Sequence, residues 1–274
     1  MNLICPVCSG MLTAEEKRYV CPGGHSFDRA KSGYVNLLQR QKHRQRGDDA
    51  EMGKARREFL NAGYYQPLLD HLAELATENH LECIADIGCG EGWYACRLLE
   101  LLRQRGIHAA LTGIDISPEI LRYAAARANQ QNLRADTHWA VASVNHIPLA
   151  DASCDGIVNL FAPCEPAEFR RILKPGGTLL RAIPLERHLW EMKELIYDEP
   201  YENRPVRSAP EGFELTQLRT IEYRMTVPAE HLQALFAMTP YAHKTAPENA
   251  ARLVQIQSLT TTVSFGLLLC TVQK

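Results

Sequence analysis

The chain has no apolar run long enough to cross a bilayer. Its longest, Phe265 to Val272, is well under half of the ~20 residues a spanning helix needs. It shows no basic-plus-apolar leader of the kind that directs export, which makes the cytoplasm the expected compartment. Without export, nine cysteines do not suggest a disulfide framework; they are expected to be reduced thiols, free to bind metal. Strong charge of one sign is also missing. Lys plus Arg number 30 against 32 Asp plus Glu, so the net charge of −2 gives no sign of a polyanion partner. What is present is ordinary for a globular protein: 46% hydrophobic and 23% charged residues over 274 positions. That length suits one large domain, or a medium domain with a small module attached.

The even charge balance hides an asymmetry. Residues 1–58 carry eleven Lys/Arg and seven Asp/Glu, so the remainder is acidic. A basic head on an acidic body can steer a polyanion to one end. The head also contains Cys5-Pro6-Val7-Cys8, then twelve residues, then Cys21-Pro22-Gly23-Gly24-His25. Two short chelating turns supply the four S/N ligands that zinc takes in a tetrahedral structural site. Cys5, Cys8, Cys21 and His25 are therefore the expected ligands, with a short hairpin between the turns over Met11 to Val20. A segment this small cannot bury enough apolar surface by itself, and the metal supplies the missing stability. A closed Cys3His set has no open coordination position and is assigned no catalysis. Phe27, Arg29, Lys31 and Tyr34 follow. Rings among cations suit either unpaired bases or a small core under the metal. Arg40, Lys42, Arg44 and Arg46 then read as a basic solvated loop. Helices are expected from near Glu51 and from Tyr65-Gln66-Pro67, the second with an apolar face of Leu68, Leu69, Leu72, Leu75 and Ala76.

The most informative stretch is Ile84-Ala85-Asp86-Ile87-Gly88-Cys89-Gly90-Glu91-Gly92. It reads as an apolar strand, a glycine loop, and a helix from Trp93 to about Arg105. Gly88, Gly90 and Gly92 let the backbone turn sharply and approach a ligand, and the helix start is expected to aim free N–H groups at it. Asp86 places a carboxylate beside the loop. A pyrophosphate would not favour that, whereas an ammonium or sulfonium would. Downstream, strands at 110–116, 137–143, 154–161 and 178–184 alternate with helices at 118–129 and 166–174. Such alternation predicts a parallel sheet covered on both faces, with ligands at the carboxyl ends of the strands. Asp115 ends the second strand at a spacing suited to ribose hydroxyls, before the Ser117-Pro118-Glu119 helix start. Ser143 ends the third strand before Asn145-His146-Ile147-Pro148-Leu149, where an adenine would border. Lys174-Pro175-Gly176-Gly177 is a helix stop and tight turn. One strand is expected within 214–227, helices at 228–238 and 247–255, and a final antiparallel strand at 260–272.

Asp86 to Gly92, Asp115, the loop after Ser143 and the Lys174 to Gly177 turn, in that order, resemble class I S-adenosylmethionine-dependent methyltransferases. The resemblance implies an α/β fold: a Rossmann-like, seven-stranded domain, here with a small N-terminal zinc-ribbon-like module. The expected division is 1–36 for the zinc module, 37–80 for a linker and leading helices, and 81–274 for the methyltransferase domain. The zinc turns, His25-Ser26-Phe27-Asp28, Gly33 to Leu38, Ala55-Arg56-Arg57, Gly63 to Leu68, the glycine loop and Ala162-Pro163-Cys164 together resemble the bacterial 23S rRNA (guanine-N1)-methyltransferases. That resemblance covers essentially the whole chain. It implies a 23S rRNA hairpin as substrate, with guanine 745 or 748 as target, RNA reading by the zinc module, a homodimer, and no membrane association. It also implies cofactor contacts from Tyr65, Gly90, Glu91, Asp115 and His188. The tail Val263 to Leu269 is somewhat more like the 748 branch.

Guanine N1 carries a proton that must leave, so a general base within hydrogen-bond reach is expected. Glu165, Glu168 and His146 are the candidates; His188 could instead hold the cofactor's carboxylate, and Asn159 is as well explained by structure. Pro163-Cys164 would suit a cysteine nucleophile, as in cytosine-C5 methylation. Alternative readings are methylation of another RNA or a small molecule, or RNA binding without catalysis.

Overall fold

In the computed structural model, residues 3–38 and 50–273 are described. The basic run Arg40 to Arg46 lies outside them, as do Asp48 and Asp49, either of which could cap the helix expected from near Glu51. The module begins with three short antiparallel strands, β1 (Thr13–Ala14), β2 (Arg18–Val20) and β3 (Ser26–Asp28), which confirm the expected hairpin and extend it by one strand. Then comes β4 (Val35–Asn36), followed by α1 (Ala50–Asn61) and α2 (Gln66–Glu78). The alternating body is β5 (Cys83–Ile87), α3 (Trp93–Gln104), β6 (Ala110–Asp115), α4 (Pro118–Gln130), β7 (Thr137–Val141), β8 (Cys154–Leu160), α5 (Pro166–Ile172), β9 (Leu173–Pro184) and α6 (Trp190–Ile196). The chain closes with β10 (Phe213–Pro228), α7 (Ala229–Ala237), a 3-10 turn at Pro240–His243, α8 (Pro247–Ala250), a second 3-10 turn at Ala251–Gln255, and β11 (Ser258–Val272). The helix expected over 247–255 is thus only one α-helical turn before it tightens.

The central sheet has the order β10-β11-β9-β8-β5-β6-β7-β4. Strands β4 to β9 run parallel, and β11 inserts antiparallel between β9 and β10, as expected. The strand count needs correction. Seven strands were expected and eight are present, because Val35 and Asn36 pair with Ala140 and Val141. Two residues are too short to show a period, so no pattern announces this strand. It also blurs the boundary expected at residue 36, since the segment that ends the zinc module is the edge of the main sheet.

Local chemistry explains each element. Strand β5 reads Ile84-Ala85-Asp86-Ile87 without alternation and is buried throughout those four, as a central parallel strand must be. Helix α2 carries Pro67 in its first turn and buries Leu68, Leu69, Leu72, Ala73, Leu75 and Ala76 on one face. Helix α4 starts where the Ser117 hydroxyl accepts from the Ile120 N–H.

Helices α2, α3, α4, α6 and α7 bury their apolar faces in one core on one side of the sheet. On the other side, α5 covers part, and the β7–β8 connection forms no helix among the described residues. The zinc module takes that place. Leu3, Leu12, Tyr19, Val35 and Leu37 share a core with Ala140, Ala142, Ile147 and Leu149. Ile4 N–H donates to the Pro148 carbonyl at 3.0 Å, and the Tyr19 hydroxyl meets His138 Nδ1 at 3.4 Å. Phe27 is half-buried against this core and Tyr34 against the other, so for both rings packing accounts for their position.

Candidate cofactor and methyl-transfer site

The metal-ligand set is assembled first. Cys5, Cys8, Cys21 and His25 bring four donor atoms within 4.8 Å of one another. Cys8 and Cys21 sulfurs lie 3.5 Å apart, and His25 Nδ1 is 3.5 Å from Cys5 Sγ and 3.3 Å from Cys21 Sγ. Zinc–sulfur bonds of ~2.3 Å in a tetrahedron place neighbouring donors a little under 4 Å apart, so the cluster fits one zinc ion. The Val7 N–H points at Cys5 Sγ, the backbone donor that a metal-bound thiolate accepts.

At the carboxyl end of the sheet, β5 delivers Asp86 into a buried position, 2% exposed. Among the described residues no hydrogen bond or ion pair reaches its carboxylate. Burial, with Asp115 nearby as a second cause, pushes its pKa up to about 8. A buried carboxylate without a partner is what a cationic ligand would complete.

The glycine loop differs from expectation in one respect. Its N–H groups are not free: Gly88 and Cys89 donate to the Ile114 carbonyl, Gly90 to Asp115 Oδ2, and Gly92 to the Cys89 carbonyl. The loop is bound to the end of β6, so it offers a close-fitting surface and not a row of donors. That closeness needs glycine. Gly88 has φ +80°, and a Cβ there would come within 2.3 Å of Ala162 Cβ, which leaves room only for a bare backbone. Asp115 Oδ1 meanwhile accepts from Ser117 N–H. The carboxylate thus braces the glycine loop and the start of α4 at the same strand end.

Glu91 is 1% exposed, and Oε2 is paired with Arg127 at 2.5 Å; its Oε1 is buried and has no partner among the described residues. Burial nonetheless raises its pKa. Tyr65 and His188 are both buried and come together through Phe265, which lies 5.0 Å from Tyr65 and 4.4 Å from His188. His188 Nδ1 accepts from Ser264 N–H at 3.3 Å, which leaves its ring proton on Nε2. Burial drives its pKa down to about 3, so it is a neutral donor. A cavity of about 580 Å³, lined by Glu186, Glu202, Glu222, Arg224 and Ser264 among others, opens beside it. Ser143 is buried at the end of β7, and its Oγ accepts from Asn145 N–H.

The three acid–base candidates separate clearly. Glu168 is bound by Arg171 and by Ile147 N–H, and although burial opposes it these partners hold its pKa below the ordinary carboxylate value. His146 is exposed. Glu165 stands half-buried at the start of α5, and its carboxylate makes no hydrogen bond or ion pair among the described residues. Asn159 is a clamp. Its amide donates to the carbonyls of Ile87 and Pro163, holding the 161–164 loop against β5. Burial raises the Cys164 thiol's pKa, the reverse of what a thiolate nucleophile requires.

Two residues near the loop were given no role there from the sequence, although Arg56 sits in the Ala55-Arg56-Arg57 motif. Arg56 of α1 lies over the loop, 3.6 Å from where a Gly90 Cβ would stand, and no spacing rule links them. Arg127 pairs with Glu91 across 36 residues, visible only once α4 lies beside the loop.

Comparison with known proteins now bears on this geometry. Residues 3–46 match the family profile described as the RlmA N-terminal zinc ribbon, and residues 84–177 match a methyltransferase domain. The 23S rRNA (guanine(748)-N(1))-methyltransferase of Streptomyces fradiae is 33% identical over 96% of this chain and 95% of its own length. The chain belongs to the 23S rRNA (guanine-N1)-methyltransferase family. The putative member YxjB of Bacillus subtilis is 32% identical over 97% of this chain and 95% of its own. Among solved structures, YcgJ of Bacillus aligns with a TM-score of 0.50 at 13% identity, covering 75% of this chain and 98% of that one. It shows the fold alone. Members of this family are S-adenosylmethionine-dependent methyltransferases with a zinc ribbon, and the four zinc ligands are brought together here. No helix among the described residues is long and apolar enough to cross a membrane.

Proposed function

We propose that this chain transfers a methyl group from S-adenosylmethionine to N1 of guanine 748 in 23S rRNA. The observation that carries the reading is the buried Asp86 carboxylate beside the glycine loop, without a partner among the described residues, in a chain that aligns over 96% of its length with a guanine-748 enzyme. When bound, S-adenosylmethionine supplies an electrophilic methyl on a sulfonium. Asp86 neutralises the positive charge of the methionine end, and Gly88, Gly90 and Gly92 let the backbone lie against it. Asp115 receives the ribose hydroxyls. Tyr65 and Glu91 border the methionine end, and His188 Nε2–H donates to its carboxylate. Ser143 borders the adenine. Glu165 takes the guanine N1 proton, since Glu168 is held in an ion pair and His146 is exposed. The zinc module carries the RNA contact and the chain works in the cytoplasm as a homodimer, for which light scattering on the purified protein should give twice 30.8 kDa.

Primer extension through the target hairpin tests the reading. N1-methylation blocks Watson–Crick pairing, so reverse transcription should stop at the modified guanine in wild-type RNA and read through in a deletion strain. A stop at 745 would move the target, and stops that persist in the deletion strain would sink the assignment. A Glu165→Gln enzyme should keep cofactor affinity and lose ~10²-fold or more in kcat.

A further inference from the structure

We propose that Phe161 is the platform on which the acceptor guanine stacks. The inference rests on the guanine reading above and adds a residue to it. Phe161 follows the last residue of β8, at the carboxyl end of the sheet, and is 46% exposed. The other six phenylalanines are buried or half-buried. Its backbone has φ +57°, a conformation that suits Gly, Asn or Asp and disfavours a bulky side chain. A half-exposed ring held in a disfavoured backbone conformation carries a cost in stability.

The surroundings show what the position is for. Ala162 lies directly against Gly88, so the loop bearing Phe161 touches the loop that holds the cofactor. The Asn159 amide pins the same loop through the Pro163 carbonyl, and Phe161 N–H donates to the Ala182 carbonyl. The ring rests on Phe265 at 5.1 Å, tilted by 46°. Phe265 is 1% exposed and is braced in turn by Tyr65 and His188. Phe161 is therefore an aromatic surface supported from the core and open to solvent, beside the point where a methyl group is presented. A guanine drawn out of a hairpin must exchange its stacking neighbours for a flat apolar surface. The ring would hold the plane of the base while Glu165, four residues on, meets its N1–H edge.

Three variants of the full-length zinc-loaded protein test this. Phe161→Gly removes the ring and relieves the positive φ, Phe161→Leu keeps apolar bulk without a π face, and Phe161→Tyr keeps the face. With a target hairpin, kcat/KM should fall ~10- to 100-fold for Gly and Leu and stay within about threefold for Tyr, the range a lost base–aromatic stack implies. S-adenosylmethionine affinity by calorimetry should be unchanged in all three, and the thermal midpoint of the Gly variant should not drop. A hairpin with 2-aminopurine at the target position should be quenched on binding wild type and brighter on the Gly variant. Wild-type kcat/KM in the Gly variant would overturn the proposal. Equal loss of cofactor affinity would assign the ring to the cofactor pocket, and a changed oligomeric state would assign it to a subunit contact; either result overturns it. If wild type itself fails to methylate any rRNA hairpin, the functional reading falls first and this inference with it.

Discussion

On the proposed reading, Asp86 is a single residue that holds a site ready for its ligand. Its carboxyl group has a folded pKa of about 8, raised by burial and by Asp115, against ~3.9 for an unperturbed Asp. A raised folded pKa means the group's stabilising contribution is full below ~4 and is lost as pH rises through about 8. The cofactor-free protein should therefore melt at progressively lower temperature from pH 5 to pH 8. Bound S-adenosylmethionine should flatten that slope, because its positive charge stabilises the carboxylate. Binding should release a proton near pH 7, seen by calorimetry in buffers of different ionisation enthalpy. Asp86→Asn should remove the thermal slope and most of the affinity; a variant that kept the slope would show that another group causes it. His188 behaves in the opposite way. Its pKa of about 3 keeps it neutral, so a pH–rate profile from 5 to 8 should carry no inflection that disappears in His188→Gln.

At the scale of elements, the glycine loop and α4 are coupled. Gly92 has φ +77°, and a Cβ there would stand 2.8 Å from Ala124 Cβ and 2.9 Å from Ala124 Cα. A backbone atom cannot step aside, so Gly92→Ala should cost at least ~2 kcal/mol in chemical denaturation and loosen α3 from α4. The Glu91–Arg127 pair joins the same two elements. Replacing Arg127 by Met strands a buried carboxylate and should cost ~3–5 kcal/mol. Replacing both residues by Leu should recover much of that loss, since two buried charges then vanish together. Denaturant midpoints of the two variants settle the comparison. If the double variant is no better than the single one, the pair contributes more than its own desolvation. Much of this layer was legible beforehand. Most strands and helices of the alternating body fall within a few residues of expectation, because strand length, glycine and proline mark them locally; β9 is the exception, starting at Leu173 and taking in the expected Lys174–Gly177 turn as an irregularity where its pairing with β8 shifts register. Edge strand β4 was not legible, since two residues are too brief for a period and it exists only through tertiary contacts, and the helix expected at 247–255 is correctly placed but tightens to 3-10 after α8.

Across the whole molecule, the zinc module works as a missing layer of the sheet's covering. Its Leu3, Leu12 and Tyr19 occupy the face that the helix-free β7–β8 connection leaves bare. Metal loss should therefore reach beyond the module. Stripping zinc with a chelator should release about one equivalent per chain and remove hydrogen-exchange protection from Val35 to Leu37 and from Ala140 to Ala142. The core strands β5 and β8 should stay protected. A chelated protein with a protected β4 would show that the edge strand holds without the metal. A Cys5→Ser variant should reproduce the chelated pattern.

The sequence by itself determined the chemistry. Metal ligands, a glycine loop and a carboxylate at a strand's end are local patterns, and their spacing follows from turns and strands that form within a few residues of each other. It could also resolve the order of the body's elements, because periodicity and turn residues are local as well. Only the tertiary structure decided how those groups are used. It bound the loop N–H groups to β6, took Glu168 into an ion pair, buried Asp86 without a partner among the described residues, and set Phe161 on Phe265 across about a hundred residues. These are contacts between distant segments. Burial and the loss of water decide their effect, and neither can be read from a residue's neighbours in the chain.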